Sequence, residues 1–411
     1  MIEHLRWLVF FALGLVLAGC ALQPGQENSA IGGCTAAGCA ACPVCPTPPT
    51  VAPRINPLEQ VDFGALTGWK DGEQAAAWTA LLSSCQALRF REAWRGACAR
   101  AMELRSPSDE EARRLLEEQF VPWRLANPDG TLDGMITGYY EPLLRGSRAK
   151  AAPYVYPIYG PPDDLLTIDL SATNPDLRGV RLRGRLEGKK VVPYYSRAEI
   201  ARGAAPVAGK EILWVDDPIE AFFLHIQGSG RIQLDGGETL RLGYADQNGH
   251  PFQSIGRYLV DQGELKLGET SMQAIKSWAA ANPKRLDELL NQNPSFVFFR
   301  ELPLADPASG PVGALGVPLT AGRSIAADPR YVPLGAPVFI ATTFPATTMP
   351  LTRLVLAQDT GGAIRNPVRA DFFWGFGAEA GVQAGRMRQQ GRMWVLLPKG
   401  VKPGSAGAPP P

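Results

Sequence analysis

Residues 354–377 read LVLAQDTGGAIRNPVRADFFWGFG, and this stretch carries most of the fold prediction. An apolar run leads into Asp359, and a second apolar run surrounds Asp371. Aspartates after strands commonly cap turns. Apolar neighbours such as Phe372 and Trp374 would remove water from Asp371, and loss of water raises a carboxyl pKa. The stretch therefore predicts strands that end beside polar turns, with Asp371 able to hold a proton near neutral pH.

The rest of the chain divides into helical and strand-rich parts. Leu66 to Glu118 has helical spacing, with Ser108 at a helix start. After residue 130, short β-branched or aromatic runs alternate with turns, apart from a helical interlude from Ser254 to Leu290. One predicted strand, Phe222 to Gln227, contains His225, which we interpret as a packed core histidine. The fold prediction is mainly β with N-terminal helices, and irregular strand spacing favours a barrel.

The N-terminus has the pattern of an exported lipoprotein. An apolar run from Leu5 to Leu17 is too short to span a bilayer but suits a signal peptide. It ends in Leu17-Ala18-Gly19-Cys20, which resembles a lipobox with Cys20 as the lipidated residue. Ala21 follows instead of aspartate, so by analogy the anchor goes to the outer membrane and the protein faces the periplasm. The alternative is a plain secretory signal.

Composition and charge restrict the choice of partner. Without residues 1–20 the chain is long enough for two domains. Its 41 basic and 40 acidic side chains create no field that would attract nucleic acid. Residues 21–57 are rich in alanine and proline and predict a flexible tether, and 399–411 predict a disordered tail.

Six cysteines besides Cys20 have no assigned role. The spacing of Cys34, Cys39, Cys42 and Cys45 resembles part of a ferredoxin ligand run. Their small and proline-rich surroundings instead favour a disulfide-linked or variable linker. Cys85 and Cys98 lie in the helical part and are able to pair in an oxidising compartment. The sequence leaves all these pairings open.

Carboxylates are the remaining candidates for catalysis. Three histidines without metal-ligand spacing argue against a catalytic zinc, and no nucleophile elbow or phosphate-binding loop is present. We therefore predict no cofactor and no metal. Asp328, Asp359 and Asp371 stand out, although each alone is also explained as a turn residue.

Several longer motifs carry a family resemblance. Thr137–Pro142 (TGYYEP), Phe223–Arg231 (FLHIQGSGR), Asn248–Gly256 (NGHPFQSIG), Gln292–Phe299 (QNPSFVFF) and Ala357–Gly377 occur in order. Over residues 60–398 the chain resembles the membrane-bound lytic murein transglycosylase A family, including its C-terminal three-aspartate module.

The resemblance implies a double-psi β-barrel built from residues 58–144 and 292–398. A second β domain, residues 145–291, would be inserted between these segments, and a groove between the two domains would hold the glycan. The implied partner is the peptidoglycan glycan strand.

The implied reaction is non-hydrolytic cleavage of the β-1,4 bond between N-acetylmuramic acid and N-acetylglucosamine, which forms a 1,6-anhydro ring. Asp371 matches the family's acid–base aspartate and Asp359 its supporting one, while Asp328 is expected to be structural or to lie outside the reacting centre. The sequence between Asp359 and Asp371 departs from that of many relatives, which leaves open how the two aspartates pair but not the identity of Asp371. Candidate substrate-binding residues are Thr137, Tyr139, Tyr140, Gln227, Ser229, Arg231, Gly361 and Gly362.

The residues are also compatible with three other functions. A catalytically silent peptidoglycan-binding lipoprotein would tolerate asparagine at position 371. A hydrolytic glycosidase would use two carboxylates and produce reducing ends. A redox or metal protein would use the cysteine cluster. The resemblance places the chain among lytic exotransglycosylases, but the residues do not say whether cleavage starts at strand ends. They also leave open the oligomeric state and further protein partners.

Overall fold

The computed structural model describes residues 56–174, 177, 182–304 and 306–403. The predicted lipidation site Cys20, the tether up to residue 55, the four clustered cysteines and the tail from residue 404 lie outside this range. Within it, no helix is both long and apolar enough to cross a membrane.

The N-terminal part contains the predicted helices. Strand β1 (Leu58–Gln60) is followed by helices α1 (Trp78–Leu88), α2 (Glu92–Glu103) and α3 (Asp109–Gln119), then by strands β2 (Phe120–Leu125) and β3 (Gly134–Glu141). Helix α3 begins after Ser108, as the sequence predicted, and Ser108 and Glu111 form a reciprocal capping box there. A Cys85–Cys98 disulfide links α1 to α2 and settles one pairing that the sequence left open.

The middle part forms two further sheets and several helices. Its strands are β4 (Leu143–Ser147), β5 (Tyr156–Tyr159), β6 (Leu166–Ile168), β7 (Leu182–Glu187), β8 (Lys190–Pro193), β9 (Glu211–Val215), β10 (Ser229–Leu234), β11 (Thr239–Gln247) and β12 (Val297–Leu302). Its helices are α4 (Arg197–Ala201), α5 (Pro218–Gln227), α6 (Ile255–Asp261), α7 (Met272–Ala281) and α8 (Leu286–Asn291). One sheet has the order β12-β11-β10-β4-β9-β5, and the other is β6-β7-β8. The six-stranded sheet thus extends beyond the predicted segment 145–291 at both ends.

The predicted strand at Phe222 to Gln227 is wrong, because these residues lie in α5. The Asp217 carboxylate accepts hydrogen bonds from the first backbone amides of the helix, Pro218 opens it, and Gly228 ends it at a φ of 76°. These helix signals outweigh the β-propensity of the aromatic run.

The prediction that His225 is a core residue is confirmed. Its ring is buried, Nδ1 accepts a hydrogen bond from the Val297 amide at 3.1 Å, and Phe296 and Phe299 contact the ring edge-on. Burial, and then the charge of Arg197, lower the pKa of His225 well below its usual value, so it stays neutral.

The C-terminal part completes a closed arrangement of strands. It contains β13 (Ser324–Ala327), β14 (Pro337–Thr343), β15 (Pro350–Asp359), β16 (Arg369–Phe376), helix α9 (Gly377–Arg386) and β17 (Arg388–Pro398). Neighbouring strands follow the order β1-β2-β17-β14-β15-β13-β16-β3, and β3 also pairs with β17. The strands from β17 to β3 therefore form a closed ring, in line with the predicted barrel and mainly β class.

The two faces of this ring have different surroundings. Alternate residues such as Ile136, Ile325, Ala370 and Phe372 point into the main core, where α1 and α2 also pack. The residues between them, including Thr137 and Asp371, point to the outer face of the ring.

Candidate active site

Two aspartates and a threonine lie in one row across the outer face of the ring. Ala326 on β13 is in register with Asp359 on β15 and with Asp371 on β16. Asp371 is in turn opposite Thr137 on β3. Directly paired residues point to the same face of a sheet, so two strand spacings, roughly 10 Å, separate the Cα atoms of the aspartates.

Asp371 is half-buried and has one specific partner. Thr137 Oγ1 donates to Asp371 Oδ1 at 2.6 Å, and within the described chain no hydrogen bond reaches Oδ2. Desolvation raises the pKa of Asp371 above its usual value, while the Thr137 hydroxyl and the charge of Arg369 pull the pKa back down. The predicted direction is confirmed, and the carboxyl retains an oxygen that is free to carry a proton.

The prediction that Phe372 and Trp374 desolvate Asp371 is wrong, because both side chains lie on the other face of β16. Phe372 points to the opposite face, into the main core, because side chains alternate along β16. The ring on the same face as Asp371 is Phe373, two residues further along, which packs with Tyr139 and Ala326. Trp374 lies on the core side and contacts Phe372.

Asp359 is held by several fixed donors. Tyr139 Oη donates to its Oδ2 at 3.1 Å, and the Ala314 amide donates to Oδ1 at 3.0 Å. Desolvation raises the pKa of Asp359, and the Thr360 amide, the Ala314 amide and the Tyr139 hydroxyl oppose that rise. Ala314 lies in a long loop, and no sequence signal pointed to it.

The two neighbouring tyrosines have different environments. Tyr139 points to the aspartate row, and burial together with the charges of Asp359 and Asp371 raises its pKa well above 10. Tyr140 points to the other side, where it packs against Ala380 and Ala384 of α9 and its hydroxyl approaches Met272. Tyr139 is therefore at the candidate site, whereas Tyr140 is a packing residue, a distinction that the sequence left open.

Three predicted substrate-binding residues, Gln227, Ser229 and Arg231, lie in the segment 145–291. Arg231 does not line an open surface. Its guanidinium is buried and paired with buried Glu141, and Arg241 pairs with the same carboxylate. The prediction that Arg231 binds substrate is corrected: the arginine joins the six-stranded sheet to the end of β3. Glu141 and Arg241 were not singled out from the sequence.

The other two candidates from this segment lie close to the same junction. Ser229 is buried at the start of β10, opposite Gly243. Gln227 is half-buried, and its Oε1 accepts a hydrogen bond from the Tyr140 amide at 3.0 Å. Gln227 therefore links the end of α5 to β3, and Ser229 is too buried to offer its side chain to a bulky ligand.

The loop between β15 and β16 is shaped by Gly361 and Gly362 and by the buried Asp328. Gly362 is exposed, while a side chain on Gly361 would collide with Ile364. Asp328 is fully buried and binds the Arg330 side chain and the Asn366 amide, so it fixes the loop. Its position agrees with the structural role predicted for it.

The outer face of β3 is open at one end and covered at the other. Glu141, four residues or roughly 13 Å beyond Thr137, lies under Arg231 and Arg241 of the six-stranded sheet. Asp359, Asp371 and Thr137 are partly exposed beside that junction. This arrangement places two carboxyl groups next to the edge where the two sheets meet.

Comparisons with known domains match both halves of the described chain. Residues 135–300 match the MltA specific insert domain, and residues 323–397 match the 3D domain. The aspartate row draws on both matches, because Thr137 and Tyr139 lie in the first and Asp359 and Asp371 lie in the second.

Whole-chain comparisons agree with the domain matches. The membrane-bound lytic murein transglycosylase A of Escherichia coli (strain K12) is 35% identical over 283 residues, which cover 67% of this chain and 68% of that protein. The crystal structure of MltA from Neisseria gonorrhoeae in a monoclinic form has a TM-score of 0.72 at 41% identity, covering 85% of this chain and 94% of that one. E. coli MltA with bound chitohexaose has a TM-score of 0.59 at 27% identity, with coverages of 84% and 95%.

Proposed function

Because this chain belongs to the membrane-bound lytic murein transglycosylase A family and is a peptidoglycan lytic transglycosylase, we propose that Asp371 is its single acid–base group. The observation that carries the proposal is the environment of the Asp371 carboxyl. Its pKa is raised by desolvation, Thr137 occupies Oδ1, and Oδ2 has no hydrogen-bond partner within the described residues. Such a group holds a proton and presents it on one defined oxygen.

The proposed reaction uses that oxygen twice. Asp371 first gives its proton to the glycosidic oxygen, so the C1–O4 bond breaks and N-acetylglucosamine leaves as an alcohol. The carboxylate then takes the proton of the 6-hydroxyl of N-acetylmuramic acid, while O6 attacks C1 of the same sugar. The nucleophile belongs to the substrate, so a second carboxylate that activates water is not required.

Asp359 is proposed to support this chemistry without transferring a proton. Its two oxygens are already held by Tyr139 and by the Ala314 amide, so the carboxylate is fixed in place. A fixed negative charge stabilises positive charge that develops on the sugar ring during bond breaking. Tyr139 acts through Asp359 and is proposed as a positioning residue.

The type of barrel and the identity of the inserted domain are part of the same proposal. We infer that the closed ring is a double-psi barrel and that the segment carrying the six-stranded sheet is the inserted domain. The glycan then lies along the open edge beside the aspartate row, where the exposed Gly362 and the partly exposed Thr137 are the remaining contact candidates. The relative crystallised with chitohexaose supports a glycan strand as the ligand.

The chain works in the cell envelope, as the names of its membrane-bound relatives indicate. We propose that Cys20 carries the lipid anchor and that the protein is held at the outer membrane, facing the periplasm. The lipobox-like sequence before Cys20 supports this assignment. Incorporation of labelled fatty acid into the protein, and its loss in Cys20→Ala, is the direct check.

The reaction is tested by the mass of its products. Purified protein incubated with peptidoglycan should release muropeptides that are lighter by one water than hydrolytic fragments. Products of full mass would mean that water is the nucleophile and that a second carboxylate takes part. Binding without products would favour a silent binder.

The pH dependence tests the role of Thr137. Activity requires protonated Asp371, so it should fall as pH rises through the raised pKa of that carboxyl. The Thr137 hydroxyl lowers this pKa, so Thr137→Val should raise the pKa further and move the alkaline limb of the kcat profile to higher pH. The profile is measured by release of soluble fragments over a pH series.

Thr137→Ser is the matched control, because it keeps a hydroxyl near Asp371 Oδ1. Its alkaline limb should stay close to that of the unchanged protein. A Thr137→Val profile that moves to lower pH, or does not move at all, would contradict control of the Asp371 pKa by this hydrogen bond.

A further inference from the structure

An open pocket of about 520 Å³ lies beside the aspartate row and has no role in the cleavage steps described above. One part of its wall comes from the loop between β15 and β16 and the start of β16, with Arg365, Asn366 and Arg369. The turn before β3 supplies Asn127 and Asp129. Pro128, Gly134, Met135, Ala363 and Val368 complete the lining, so the pocket combines apolar surface with a few charged and amide side chains.

The pocket is adjacent to Asp371 along the same strand. Arg369 is paired in register with Met135, and Asp371 is paired with Thr137, so the two pairs are neighbouring rungs on the outer face. Residues two apart on a strand lie roughly 7 Å from each other on one face. A sugar substituent close to the bond that is broken can thus reach the pocket.

The charges in the pocket favour an anion. Nη1 of Arg369 donates to the Met135 carbonyl oxygen at 3.3 Å, while its Nε and Nη2 have no hydrogen-bond partner in the described part of the chain. Arg365 uses only Nε, which donates to the Gly362 carbonyl oxygen at 3.2 Å. The one acid in the lining, Asp129, already accepts hydrogen bonds from the Thr131 hydroxyl and amide.

The wall with the two arginines is fixed before any ligand binds. Asn366 has a φ of 97°, a left-handed conformation that costs energy for a residue with a side chain. Its amide donates to Asp328 Oδ2 at 3.1 Å, and Asp328 is fully buried. Asp328 therefore holds this wall in position, and this is a role outside proton transfer.

We propose that this pocket binds a carboxylate of the substrate next to the cleaved bond, with Arg365 and Arg369 as its cationic contacts. A guanidinium fork matches the geometry of a carboxylate. The carboxylate has two possible sources on N-acetylmuramic acid: the peptide attached to its lactyl group, or the lactyl group itself where the peptide has been removed. The proposal rests on peptidoglycan as substrate, and it predicts tighter binding of a glycan that carries this carboxylate than of a neutral one.

The test compares Arg365→Gln with the unchanged protein on two substrates and one competitor. The substrates are peptide-bearing glycan strands and the same strands stripped by an amidase, and the competitor is neutral chitohexaose. Arg365→Gln should raise KM about tenfold on the substrate that provides the carboxylate, with kcat unchanged, because the contact serves binding. Inhibition by chitohexaose should not change. Arg95→Gln, at an exposed position of α2, is the matched control.

The substrate that shows the KM increase identifies the source. An increase only with peptide-bearing strands assigns the peptide carboxylate, and an increase only with stripped strands assigns the lactyl carboxylate. An unchanged KM on both, or an equal increase together with weaker chitohexaose inhibition, would overturn the proposal. Products of full mass would refute the transglycosylase mechanism separately, since KM can be measured with fragments of either mass.

Discussion

Replacing Asp371 with asparagine should lower kcat about 10³-fold while the protein keeps its fold and its affinity for glycan. Asparagine has nearly the same shape and can still accept the Thr137 hydrogen bond that Asp371 accepts at 2.6 Å. It cannot give a proton to the glycosidic oxygen or take one from the 6-hydroxyl, and general acid–base catalysis contributes roughly 10²–10⁴-fold. The measurement is the initial rate of anhydromuropeptide release, with glycan binding measured separately.

Asp359→Asn is the informative comparison for this variant. It keeps an acceptor for Tyr139 and removes the negative charge, so it should reduce kcat by a smaller factor than Asp371→Asn. Full activity of Asp371→Asn would remove the acid–base assignment. A larger loss in Asp359→Asn than in Asp371→Asn would exchange the roles of the two aspartates.

Replacing Glu141 with glutamine should lower the free energy of unfolding by about 3–5 kcal/mol, because it breaks a buried ion cluster. Glu141 is fully buried, with Arg231 Nε at 2.8 Å and Arg241 Nε at 2.6 Å from its oxygens. A neutral amide leaves two buried guanidinium groups without a counter-charge. Urea unfolding at neutral pH measures the loss.

The matched control is Glu59→Gln, which removes one partner of the more exposed Arg124–Glu59 pair. Ion pairs of that kind contribute at most about 1 kcal/mol, so the control should change stability little. If Glu141→Gln were as stable as Glu59→Gln, the buried cluster would not be what holds the six-stranded sheet to the ring.

Local signals in the sequence were sufficient for much of the secondary structure. The capping residues Ser108 and Glu111 mark the start of α3 because they act within one helical turn. The same kind of signal, Asp217-Pro218, starts α5, although the β-propensity of the aromatic run that follows predicts a strand. In this segment helix capping outweighs β-propensity.

The sequence alone determined the chemistry of the candidate site but not its surroundings. Asp359 and Asp371 could be named from their motifs, since residue type and nearby residues suffice to identify a candidate acid. The sequence also placed Arg231 at the glycan, and the structure instead pairs it with Glu141, 90 residues away.

Only the tertiary structure decided which residues share a face and a partner. Strand register aligned Asp359, Ala326, Asp371 and Thr137, and it brought Arg369 beside Asp371 as part of a pocket wall. The hydrogen bond between Thr137 and Asp371 joins residues 234 positions apart. Such contacts depend on how strands pair across the whole chain, and residue order carries no local signal for them.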